Sequence, residues 1–132
     1  MSEKSQEKFD PVDLHVLARK WFEIFNRHDV DSLVDLHTED AVHHSPKLKI
    51  QKPETGGVIK GREQLIAWWR EAFERIPSLS YVLNRITAQE NRVVVEYTRY
   101  ADEAEPLEVA EMYEVTKIRD ALRIRVSRVY HG

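Results

Sequence analysis

Three short stretches carry the side chains that could do chemistry. In Asp40-Ala-Val-His43-His44-Ser45 an acid, two imidazoles and a hydroxyl stand close together. An imidazole changes charge near neutral pH, which suits general acid or base work. Neighbours on an extended chain point to opposite faces, so only one of His43 and His44 can look inward. His43 shares a face with Ser45 and is the preferred acid/base candidate, with Asp40 placed to orient it. His44 and Ser45 are candidate ligand contacts. The second stretch is Val109-Ala-Glu-Met-Tyr-Glu-Val115. Period-two alternation puts Glu111 on the same face as Val109, Tyr113 and Val115 and makes it a further catalytic candidate. The third holds Arg128, in phase with Leu122, Ile124 and Val126. A lone buried charge costs several kcal/mol, so the pattern predicts that Glu111 and Arg128 face each other or share one ligand group. Each residue also has a plainer use. His43 could be a hydrogen-bonded group at a pocket mouth, Asp40 a turn cap, and Glu111–Arg128 a structural ion pair.

Other chemistries lack their residues. His37, His43 and His44 do not make a zinc set, because a zinc site needs three or four convergent ligands and His43 and His44 diverge. There is no HxH or HExxH spacing, no phosphate-cradling glycine motif among the four glycines, and no nucleophile elbow. No metal and no cofactor is expected.

The elements that must position these groups follow from periodicity. Asp10-Pro11 opens a helix over about 11–28, with Leu14, Leu17, Ala18, Trp21 and Phe25 along one stripe. Asp31 can cap a second helix over 32–38, with Leu33, Leu36 and His37 inward. Residues 41–45 read as a short strand that Pro46 stops. Residues 47–60, with Pro53, Gly56-Gly57 and four lysines, read as an exposed loop. Leu65, Trp68, Trp69, Ala72, Phe73 and Ile76 define a third helix over 62–75 that Pro77 ends. Thereafter the chain alternates and is rich in β-branched and aromatic residues, predicting strands at about 79–88, 92–101, 107–118 and 121–130. This order predicts an α+β fold in which a cone-like, curved antiparallel sheet wraps three N-terminal helices. Trp21, Phe25, Trp69, Tyr97 and Tyr113 then become candidate walls of a ligand cavity. A polar tail over 1–10 precedes a single domain over 11–132.

Composition excludes several classes. Twenty basic and 23 acidic residues leave a net charge of −3, so nothing draws the chain to nucleic acid or an anionic membrane. No apolar run approaches the roughly 18 residues a bilayer requires. The first residues lack the apolar core of a secretory signal. There are no cysteines, which fits the cytoplasm.

The helix order, the segment Asp29-Val-Asp-Ser-Leu-Val-Asp-Leu36, the following Glu-Asp-Ala-Val42 and a meander ending in Arg-Val-Tyr130 resemble the nuclear transport factor 2-like superfamily. The chain looks like its SnoaL-like and ketosteroid-isomerase-like branch. The resemblance implies a cystatin-like cone, a pocket between sheet and helices, and homodimers packed through the sheet. Val94, Met112 and Val129 are the apolar residues expected on that outer face. Ketosteroid isomerases carry a carboxylate base just before the proline and a phenolic donor on the first helix. Here those positions hold Ser45 and Trp21, while Glu111 approximates the second acid. The isomerase mechanism is therefore not expected, and no set of the family's cyclases, dehydratases or epoxide hydrolases matches residue by residue.

Two functions remain open. One is a cofactor-independent cyclase, dehydratase, isomerase or epoxide hydrolase acting on a small, largely apolar molecule by acid/base chemistry. The other is a non-catalytic ligand-binding or protein-interaction dimer of the same fold.

Overall fold

Asp10 starts the first helix as its sequence predicts. Its Oδ1 accepts from the Val12 N–H at 2.9 Å, and Pro11 occupies a first-turn position that needs no donor. The computed structural model describes residues 8–102 and 104–131. In chain order it contains α1 (Pro11–Asn26), α2 (Val30–Val34), β1 (His37–His44), α3 (Pro46–Gln51), a 3-10 turn (Pro53–Thr55), β2 (Val58–Lys60), α4 (Arg62–Arg75), β3 (Ser80–Gln89), β4 (Arg92–Ala101), β5 (Ala104–Ile118) and β6 (Ala121–His131). Residues 1–7 of the predicted tail over 1–10 lie outside the described residues. Lys8 and Phe9 are held by β5: Lys117 Nζ donates to the Lys8 carbonyl at 2.5 Å and lies over the Phe9 ring.

The six strands form one sheet in the order β2-β1-β6-β5-β4-β3. The last four make the predicted antiparallel meander. One pairing departs from expectation: β1 joins β6 in parallel. Register shifts interrupt four of the five pairings, and such bulges bend the sheet. Its concave face covers α1 and α4. All six residues of the α4 stripe are buried, as are Leu14, Leu17, Ala18, Trp21 and Phe25 of α1. The α1 rings run into the sheet through Phe25 stacked on Tyr81 at 4.0 Å and Phe22 edge-on to Tyr97 at 5.1 Å.

Three expected boundaries change. Asp29, not Asp31, caps the second helix: its Oδ1 accepts from Ser32 N–H at 3.2 Å, and Asp31 sits inside the first turn. That helix ends at Val34, because sheet pairing takes the residues after it. Ile124 N–H donates to the Leu36 carbonyl at 2.8 Å, and His37 pairs with Ile124. β1 is thus eight residues long. The expected loop over 47–60 holds α3 and β2. Ser45 caps α3, its Oγ accepting from Lys47 N–H at 3.2 Å, with Pro46 at the helix start. The signal Ser-Pro was present but was outweighed by the prolines, glycines and lysines after it.

Asn26, the last residue of α1, ties the helix to the edge strand. Its amide donates to the Tyr81 carbonyl and accepts from the Tyr81 N–H, both at 2.8 Å.

Candidate functional site

A carboxyl group lies inside the cone. Glu111 is 2% exposed and faces the concave side of β5 with Val109, Tyr113 and Val115, as alternation predicts. Tyr97, its neighbour on β4, donates its hydroxyl hydrogen to Glu111 Oε1 at 3.1 Å. Glu111 Oε2 has no hydrogen-bond partner among the described residues. Burial pushes the carboxyl up to about 8, against the smaller downward pull of the Tyr97 hydrogen bond. Glu111 is therefore a neutral acid at pH 7, with a proton to donate. Burial raises the Tyr97 and Tyr113 hydroxyls well above their usual range, so both stay protonated beside it.

Glu111 lines a cavity of about 50 Å³ between sheet and helices. Trp21 and Phe25 of α1, Trp69 of α4 and Tyr97 supply the aromatic wall, as the sequence predicts. The wall is tightly built: Trp21 stacks on Phe25 at 5.1 Å and meets Trp69 edge-on at 6.1 Å. Trp21 Nε1 is buried without a partner among the described residues.

His43 also lines the cavity, and Ser45 stands at its side. His43 is 3% exposed, and its Nδ1 lies 2.6 Å from Ser127 Oγ on β6. Burial, then the nearby His37 and His44 rings, bring its pKa down to about 3. The ring is neutral at physiological pH, with Nδ1 engaged by the serine. It is a hydrogen-bonding group rather than a reservoir of charge.

Four predicted site residues lie elsewhere. Asp40 is exposed on β1 and accepts from the Thr38 hydroxyl at 3.0 Å, away from the cavity. His44 points to the outer face, where Arg128 donates to its Nε2 at 3.3 Å. Tyr113 is fully buried beneath Trp21, at 5.7 Å between rings, and is core rather than cavity wall. The expected Glu111–Arg128 pair does not form. Val115 pairs with Ile124 and Glu114 with Val126, so Arg125 is an extra residue in β6. That bulge reverses the phase of everything after it. Ser127 and Val129 turn inward, while Arg128 faces outward opposite Met112. Val129, expected on the outer face, lines the cavity for the same reason.

Several cavity residues escape the sequence patterns. Val129 is hidden by the bulge, as is Ser127, which stands behind His43 rather than in the lining. Arg99 continues the inward phase of Val93, Val95 and Tyr97, so the alternation of β4 contains its signal. Lys47 comes from α3 and Arg75 from the last turn of α4. In sequence Arg75 stands four residues after Glu71, a spacing that reads as an ion pair on the wet face of the helix. Among the described residues no cluster of three or more metal-ligating side chains occurs, and no helix is long and apolar enough to cross a membrane.

The sequence profile of the SnoaL-like domain matches residues 18–126. The chain belongs to this SnoaL-like family. Solved structures agree on the fold. The SnoaL-like protein of unknown function from Burkholderia thailandensis E264 superposes with a TM-score of 0.82 at 22% identity, over 96% of this chain and 99% of that one. A protein with a cystatin-like fold from Methylobium petroleophilum PM1 gives 0.76 at 19% identity, over 96% and 80%. A nuclear transport factor 2-like protein from Cytophaga hutchinsonii ATCC 33406 gives 0.65 at 15% identity, over 88% and 87%. No curated protein matches the chain. This SnoaL-like domain therefore has its family's cone, with its own set of polar groups inside.

Proposed function

We propose that this SnoaL-like domain binds a small, largely apolar molecule by an acceptor oxygen, and that Glu111 donates the hydrogen bond to it as a neutral acid. One observation carries the reading. A buried carboxyl lines the cavity with one oxygen held by Tyr97 and the other without a partner among the described residues. A neutral acid donor in a dry site polarises a carbonyl and stabilises negative charge developing on its oxygen. The chemistry open to such a site is cofactor-independent: enolisation leading to isomerisation or cyclisation, or protonation of a leaving hydroxyl. His43, a further buried polar group of the lining, is held neutral beside Ser127 and would offer a second hydrogen bond there. The ketosteroid isomerase route is not proposed, because Ser45 and Trp21 stand where its base and donor belong. Non-catalytic binding uses the same donor and the same wall.

Ketone binding tests this. Cyclohexanone titrated into the protein should quench or shift its tryptophan fluorescence, since Trp21, Trp68 and Trp69 all line the cavity. Its affinity should fall about tenfold between pH 6.5 and pH 9.5, as Glu111 loses its proton and a carboxylate faces the carbonyl. Glu111→Gln keeps a neutral donor and should flatten that dependence. Equal affinity at both pH values in the wild type would sink the proposal.

A further inference from the structure

The chain carries a net negative charge, yet the cavity wall is basic. Lys47, Arg75 and Arg99 all line it, each from a different element. Glu111 is the one acidic side chain among its described lining residues. Depth separates two of the cations from the acid. Glu111, His43 and Trp21 are buried, and so is Arg99, while Lys47 is half-buried and Arg75 is exposed at the end of α4. Ile76 and Leu79 are buried lining residues close to Arg75 in the chain. From its exposed side the lining thus runs from Arg75 and Lys47 to buried aromatic faces and Glu111.

That order selects a molecule with unlike ends. An apolar body alone would not need the cations, and a small inorganic anion would leave the aromatic wall unused. Guanidinium and ammonium groups bind carboxylates by charge-assisted hydrogen bonds that a neutral amide cannot replace. We infer that the ligand is a small carboxylate whose far end bears a carbonyl or hydroxyl oxygen: the carboxylate lies against Arg75 and Lys47, and the oxygen reaches Glu111. This deepens the reading of the Glu111 site and rests on it. The narrow cavity favours a slender chain or a single ring over a fused polycycle.

Isothermal titration with linear methyl-ketone acids decides it, from 4-oxopentanoate to 7-oxooctanoate, each beside its primary amide. The acid should bind at least about tenfold more tightly than the amide at one chain length, where both ends reach their partners. Raising the salt concentration should shrink that ratio. Arg75→Gln, a change at an exposed position, should cut the acid's affinity and leave the amide's unchanged. If acids and amides bind equally at every length, the carboxylate inference falls while the Glu111 reading stands. If the acid retains its advantage in both Arg75→Gln and Lys47→Gln, the cationic entrance does not read the anion and the inference falls. If neither acids nor amides bind, both fall together.

Discussion

Glu111 and the two buried histidines pull the pH dependence of stability in opposite directions. In the fold His37 and His43 are held near pKa values of about 4 and about 3, against 6.5 in the unfolded chain, with burial the main cause in each. Below pH 6.5 the unfolded chain therefore binds more protons at these sites, and stability is lost as pH falls toward the folded values. Glu111 is raised from 4.5 to about 8, so over that range the folded chain holds the extra proton and rising pH destabilises it. Above pH 6.5 the histidine contribution fades and the Glu111 effect outweighs it. Stability should peak near pH 6.5 and fall by about 1 kcal/mol by pH 8, the Glu111 loss less what the two histidines still gain. Glu111→Gln should abolish the fall. Urea midpoints of both proteins at pH 6.5 and 8 measure it, and the same loss in each would assign the titration to another group. The inward face of Glu111 and of His43 was legible, because β5 and β1 alternate regularly around both. Their partners were not. Tyr97 and Ser127 lie on neighbouring strands, and which residue sits opposite depends on register, which one strand's pattern does not contain.

At the level of elements, periodicity found what has a long regular face. The bounds of α4 match the predicted 62–75, since a six-position stripe between Gly61 and Pro77 leaves little choice. α3 and β2 were missed because they are too short to show a period. The Arg125 bulge was invisible for a different reason: Arg-Val-Ser-Arg-Val fits either phase, and only pairing with β5 selects one. The same limit hides Asn26. It reads as a polar residue at a helix end, yet its amide satisfies both backbone groups of Tyr81 on edge strand β3. An open strand edge invites pairing with other chains. Asn26→Ala should cost about 1–3 kcal/mol through the two lost bonds and speed hydrogen exchange of the Tyr81 amide. Unchanged exchange at Tyr81 would show that the amide is protected by something else.

For the whole molecule, the cone was legible because three helices followed by a meander leave few ways to bury every apolar face. What the outer face does is a separate matter. Losing Val129 to the cavity takes one of three expected apolar residues from it. Val82, Val94 and Tyr130 remain exposed there, at 50%, 37% and 53%, with Met112 half-buried among them. Apolar residues gathered on one face mark a contact surface, and we propose that two copies pair through it. Light scattering at micromolar concentration should give twice the chain's 15.6 kDa. A mass of one chain would reject pairing, and in that case Val94→Lys should leave solubility and mass unchanged.

The place of β6 has a consequence for how the chain acquires its structure. The last of the strands in sequence lies third in the sheet, between β1 and β5, and pairs the early strand β1 with the late meander. The His43–Ser127 bond spans 84 residues. Such distant pairings are slow to form, because loop closure must come before the contacts reward it. On a ribosome, α1, α4 and the meander from β3 to β5 emerge while β1 and β2 have no sheet to join. Until residues 121–131 are free, the aromatic wall of the cavity stays open on the β1 side. A chain without these residues paired lacks the strand that lies between β1 and β5, beside the pocket that Trp21, Trp69 and His43 line.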